Sequence, residues 1–151
     1  MRRSVGQEVL SAAELRARLG LAMPSPPKRE RNQREREIQR AIVDALSSPP
    51  WDRRCFVFHV PNGGGRNVIE AVALLRDGVR AGVADLAVML PGGRIVWLEV
   101  KSEDGTIRRA QREFRDVCAA LGHPYYVVRS VASALAAVEA EIANNHERRS
   151  A

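Results

Sequence analysis

Residues 82–105, GVADLAVMLPGGRIVWLEVKSEDG, constrain the fold of this chain more than any other stretch. Two apolar, strand-forming runs flank Pro91-Gly92-Gly93, and such runs around a glycine-rich turn form a β-hairpin. Strands are therefore expected at about 84–90 and 94–101. With the turn centred on Gly92, residues whose numbers sum to 184 lie opposite one another, so Asp85 faces Glu99. Lys101, two residues beyond Glu99, shares that face. A slip of one residue would send Asp85 to the other face and break the arrangement.

Two carboxylates across from each other at the end of a hydrophobic hairpin are costly. At about 5 Å and an effective dielectric near 20 their repulsion is roughly 3 kcal/mol. A favourable cross-strand pair returns only about 0.2–1 kcal/mol. A divalent cation would offset the repulsion, because Mg²⁺ takes hard carboxylate oxygens as ligands. Exposure of one acid, or pairing of Lys101 with Glu99, would relieve it too, and the hairpin alone leaves these readings open.

The flanking sequence supplies helices. Ile38, Ala41, Ile42, Ala45 and Leu46 recur at helical spacing from Asn32 onward, and Ser47-Ser48-Pro49-Pro50 ends the run. On a wheel at about 100° per residue, Glu35 falls inside the apolar sector, Gln39 on its edge and Glu37 well outside. A carboxylate on the core side of a helix needs a partner, although Glu35 also lies near the helix start, where fraying would expose it. Thr106 is a candidate cap for a helix over about 107–121, with Phe114, Val117, Cys118 and Leu121 on one face. Gln111 lies on that face, apart from Arg108, Arg109, Arg112 and Arg115, and a buried Gln needs partners for its amide.

Further strands are expected at 55–60 and 124–130, with a closing helix over 131–143. The order α, β, β, β, α, β, α implies an α/β domain with a mixed sheet and helices on both faces. Residues 1–30 read as an arm or linker in which Ser11 and Glu14 form a capping box for a short helix. The domain proper spans 31–145, and 146–151 is a polar tail. Residues 68–78 are compatible with a short helix or irregular chain.

The series G-V-x-D, then L-E-V-K, then Q resembles the PD-(D/E)XK nuclease superfamily, and within it the virus-type replication-repair nuclease, or VRR-NUC, family. The likeness runs over roughly 33–130 and includes EREIQRAIVDAL, FHVPNGGGR and RRAQREF. Ala84 stands where the superfamily's name-giving proline would be. The resemblance implies a restriction-endonuclease-like core and metal-dependent hydrolysis of DNA phosphodiesters. It places Glu35, Asp85, Glu99 and the Val100 carbonyl on Mg²⁺ or Mn²⁺, makes Lys101 the catalytic cation, and gives Gln111 and Gln39 supporting roles. It further implies branched substrates, flaps or four-way junctions, in phage or bacterial replication and repair, often through a homodimer. A restriction-type or non-specific endonuclease, and a non-catalytic DNA-binding module on the same fold, are the alternatives.

The remaining signals are weaker. Residues 61–67, PNGGGRN, lack the Lys-Ser/Thr of a nucleotide P-loop, which excludes an NTPase on this motif. Arg66 there is a candidate DNA-backbone contact, as are Arg108, Arg109 and Arg112, although such arginine runs also occur as solvated faces. His59, in an apolar strand, reads as a structural histidine. A net charge of +6 permits nucleic-acid binding without requiring it. Lys28 and Lys101 are the only lysines, so the hairpin holds one of just two compact ammonium groups. Cys55 and Cys118 match no metal spacing, and neither a leader pattern nor a membrane-length apolar run is visible, so a soluble cytoplasmic protein is expected.

Overall fold

The computed structural model describes residues 27–61 and 74–150. The proposed arm helix, the loop with Arg66 and most of the 68–78 segment lie outside these. In chain order the elements are α1 (Lys28–Leu46), a 3₁₀ turn (Trp51–Arg53), β1 (Phe56–His59), β2 (Leu86–Leu90), β3 (Arg94–Val100), α2 (Arg109–Ala120), β4 (Tyr125–Val128) and α3 (Val131–Ser150). The strands form one mixed sheet in the order β1-β2-β3-β4. Strands β1, β2 and β3 pair antiparallel, and β4 runs parallel to β3.

The hairpin has the expected register. Leu86 pairs with Leu98, Ala87 with Trp97, Val88 with Val96 and Leu90 with Arg94. The turn that sets it contains Gly92 and Gly93, both with φ above +80°, a conformation that disfavours any residue with a Cβ.

Strand alternation then divides the sheet. One face carries Leu86, Val88, Leu90, Val96, Leu98, Val100 and Val128, all buried. Ile42 and Leu46 of α1 and Ala134, Val138 and Ile142 of α3 close over it as a single cluster. Each such Val, Leu or Ile contributes on the order of 1.5–3 kcal/mol by leaving water. The opposite face carries Trp97, Glu99 and Tyr125. Phe114 of α2 meets Trp97 edge-to-face at 5.1 Å and Tyr125 at 6.2 Å. That contact anchors α2 over β3 and β4. On the β1–β2 half of the same face, Phe56, Phe58 and Met89 are exposed.

Three boundaries differ from expectation. Helix α1 begins at Lys28, so the charged run assigned to the linker forms its first turns. Arg, Lys, Gln and Glu are all good helix formers, and Pro27 at the N-cap ends the preceding chain. Helix α2 starts after Arg108, not at Thr106, because Gln111 Oε1 accepts the Arg108 backbone N–H at 2.8 Å and fixes the first turn there. Helix α3 continues through the polar tail to Ser150. The Asn145 amide donates to the Pro91 carbonyl in the hairpin turn, which ties that extension to the sheet.

Candidate active site

The open end of the hairpin is the floor of a cleft of about 560 Å³. Helix α1 lines one wall with Asn32, Glu35, Arg36 and Gln39. The first turn of α2 lines another with Arg108, Ala110 and Gln111. His59 and Pro61 at the end of β1, the approach to β2 at Gly82, Val83 and Asp85, and Lys101 complete it.

Asp85 sits one residue before the Leu86–Leu98 pair, so continuing the register sets it across from Glu99. Its Oδ2 accepts the Val100 backbone N–H at 2.8 Å. Glu99 is completely buried. Lys101 Nζ donates to its Oε1 at 2.5 Å, and the Gln111 amide nitrogen donates to the same oxygen. The Tyr125 hydroxyl lies 3.4 Å from its Oε2. Lys101 thus pairs with Glu99, yet the pairing does not cancel the strain between the acids. Burial, then the Asp85 charge, push the Glu99 carboxyl up to about 7 against the opposing pull of Lys101. Burial and the Glu99 charge also push the Tyr125 phenol up.

Gln111 reaches Glu99 for a simple reason. It lies three residues, nearly one turn, before Phe114 on α2, while Glu99 lies two residues beyond Trp97 on β3. The Phe114–Trp97 contact therefore brings the two together. Gly82 makes the close packing possible. It adopts φ +81°, and a Cβ there would overlap the Ala110 carbonyl and crowd the Gln111 backbone nitrogen. The motif glycine three residues before Asp85 therefore presses its loop against the first turn of α2.

Glu35 is placed differently. Its Oε1 accepts the Ser102 backbone N–H at 3.2 Å and lies 3.4 Å from the Ser102 hydroxyl. Among the described residues no three Asp, Glu, His or Cys side chains are gathered closely enough to hold a metal ion. The expected set of Glu35, Asp85 and Glu99 is thus not formed as one cage, because the Ser102 donors hold Glu35 at the cleft wall. Asp85 and Glu99 are the two acids that the hairpin sets across from each other. They supply hard oxygens whose mutual repulsion is already visible in the raised Glu99 carboxyl, and Mg²⁺ is commonly held by one or two carboxylates together with substrate phosphate. The segment carrying Ser102 is itself held by Arg129, whose guanidinium donates to the carbonyls of Ser102, Glu103 and Gly105.

His59 is more than a packed strand residue. It is exposed and lines the cleft, with Nδ1 2.9 Å from the Asp85 carbonyl and 3.0 Å from the Gln39 amide. The Asp85 carbonyl also accepts the Val60 N–H at 2.9 Å. One ring nitrogen cannot accept from Gln39 and donate to Asp85 together. With Nδ1 protonated, its single N–H donates to the Asp85 carbonyl. His59 then steadies the Asp85 backbone. An apolar strand gave no sign of this, because the partner carbonyl is remote in sequence.

The arginines divide. Arg108 lines the cleft. Arg109 pairs with Glu113 at 2.8 Å and Arg112 donates to the Ile107 carbonyl at 2.8 Å, and neither lines the cleft. Arg36, unmarked in the sequence, does line it. Its signal was its position, four residues after Asn32 and three before Gln39 on one helical stripe.

Fold and site together define an α/β domain in which a β-hairpin presents a carboxylate and a lysine to a polar cleft, with a second carboxylate, Glu99, buried behind them. Comparison with solved structures agrees on the fold. One titled VRR_NUC domain protein superposes with a TM-score of 0.54 over 70% of this chain and 84% of its own, at 22% identity. Another, titled VRR_NUC domain, covers 70% of this chain and 95% of its own at 20% identity, with a TM-score of 0.48. The first likeness shows that this chain has the fold of a VRR_NUC domain. No family model and no curated protein sequence matches the chain.

Proposed function

We propose that this protein is a divalent-metal-dependent nuclease that hydrolyses DNA phosphodiesters in the cleft between α1 and α2. The observation that carries the reading is the end of the hairpin: Asp85 and Lys101 line the cleft, and Glu99, buried behind them and across from Asp85, has its Oε1 2.5 Å from Lys101 Nζ. The nuclease-type fold of the VRR_NUC neighbour supports it by analogy.

Asp85 and Glu99, with the Val100 carbonyl, would hold Mg²⁺ or Mn²⁺, and Glu35 would face it across the cleft. When bound, the ion supplies Lewis-acid polarisation of a phosphoryl oxygen and lowers the pKa of water at the site. Lys101 places a compact ammonium at the floor, where it orients the attacking water and stabilises charge developing on the phosphate. Gln111 donates to Glu99 and keeps its carboxylate turned toward Lys101. His59 and the Val60 N–H hold the Asp85 carbonyl, and Gln39 meets the His59 ring, so the carboxylate is set before substrate arrives. Branched DNA as the preferred substrate, and action as a homodimer in bacterial or phage replication and repair, extend this reading by family analogy.

The test is cleavage by the purified full chain of linear duplex, 5′- and 3′-flap and four-way junction DNA, with Mn²⁺, Mg²⁺ or EDTA. Metal-dependent cutting, stronger on flaps or junctions, is expected. DNA binding without cutting in any metal would make the protein a non-catalytic module, and full activity in EDTA would overturn the metal assignment.

A further inference from the structure

We infer that Arg36, on α1, and Arg108, at the start of α2, are the two backbone-phosphate contacts that seat a nucleic-acid strand over Asp85 and Glu99. The inference rests on the functional reading above and assigns Arg36 a role that its sequence context did not indicate.

Five facts carry it. The cleft lining carries the carboxylates of Asp85 and Glu35, which repel a polyanion, beside the ammonium of Lys101. Each wall supplies one arginine, Arg36 from α1 and Arg108 from α2. Both are exposed, and neither makes an ion pair among the described residues. The neighbouring arginines of α2 are engaged elsewhere, Arg109 by Glu113, Arg112 by the Ile107 carbonyl and Arg115 by Asp116. A guanidinium bound to an internal acceptor has fewer donors to offer a phosphate, whereas one left open at a cleft wall can bind a phosphate through two parallel N–H groups. Arg36 follows Glu35 directly, and Glu35 is latched to Ser102, so the turn of α1 that presents Arg36 is fixed relative to the floor.

The experiment measures equilibrium binding of the full chain to a labelled duplex in EDTA, where cutting is off, as a function of salt. Each phosphate contact on duplex DNA contributes about 0.9 to the slope of log K against log[salt]. Arg36→Gln and Arg108→Gln should each lower the slope by about that amount and weaken binding severalfold at moderate salt. Arg36→Lys should restore most of the slope, because it keeps the charge. Arg40→Gln removes an exposed arginine of the same helix that lies off the cleft, and should leave the slope as in the wild type. Melting curves confirm that each variant is folded. A slope unchanged by Arg36→Gln, or lowered equally by Arg40→Gln, would overturn the inference. Wild-type protein that cuts DNA while these variants behave alike defeats this assignment alone, whereas wild-type protein that neither binds nor cuts DNA defeats the functional reading with it.

Discussion

Replacing Asp85 by Asn should stabilise the metal-free protein at neutral pH while abolishing its proposed activity. The carboxylate removed is one of the two causes that raise Glu99, the other and larger being burial. Because the folded Glu99 carboxyl titrates near 7 and its ordinary value is 4.5, the folded state binds that proton more tightly than the unfolded chain does. The stability this provides is complete below about pH 4.5 and is lost as pH rises through about 7. Wild-type protein in EDTA should therefore lose stability across that window. In the Asn variant the Coulomb part disappears, a quantity of roughly 3 kcal/mol at most for charges about 5 Å apart in an effective dielectric of 20. Asn can still accept the Val100 N–H through its amide oxygen, so the backbone contact that Asp85 makes is retained. For a domain of this size roughly 1–3 kcal/mol corresponds to a rise of about 2–12 °C in melting temperature. Thermal unfolding in EDTA from pH 5 to 8 measures it. The variant should match the wild type near pH 5, melt higher at pH 8, and lose the stabilisation that saturating Mn²⁺ gives the wild type. A variant that melts at or below the wild type at pH 8 would refute the reasoning, because Asp85 would then be a stabilising contact and not a repulsive one.

Three further outcomes follow from the site. Lys101→Arg should fold and bind DNA but cleave at least about 100-fold more slowly, about 2.7 kcal/mol of transition-state stabilisation, because a guanidinium keeps the charge without the compact ammonium; single-turnover cleavage within a few-fold of wild type would make Lys101 only the partner of Glu99. Glu35→Gln should impair cleavage, whereas Glu37→Gln, at an exposed position whose carboxylate meets Gln33, should not, and parallel cleavage assays of the two would expose a reversed order. Gly82→Ala should destabilise the fold by more than about 1–3 kcal/mol, since it combines strain at positive φ with overlap on the Ala110 carbonyl, and an unchanged melting temperature would show that the loop docks otherwise.

Much of this architecture was legible because local rules and the global fold agree at the hairpin. Pro91-Gly92-Gly93 fixes the turn, the turn fixes the register, and the register sets Asp85 across from Glu99. Gln111 was legible as a polar residue on an apolar face, and its partner proved to be Glu99. What escaped depends on contacts between distant segments. The start of α2 is decided by the Gln111 side chain folding back on Arg108, which outweighs a plausible Thr106 cap. Glu35 lines the cleft, but its partner Ser102 is 67 residues away, beyond the reach of a helical wheel. The same holds for His59 and the Asp85 carbonyl. Arginines look alike in sequence, and only their partners separate Arg109 and Arg112 from Arg36 and Arg108.

Arg129 makes the site depend on the end of β4. Lys101 directly follows β3, but its backbone N–H bonds to the Val128 carbonyl of β4, and the segment after it is held by the Arg129 guanidinium. Glu35 in turn latches onto Ser102 within that segment. A nascent chain that has not yet delivered β4 therefore lacks the strand and the side chain that fix Lys101, Ser102 and Glu35 in place. The floor thus depends on a strand and a guanidinium well downstream of it, Arg129 lying 27 residues beyond Ser102.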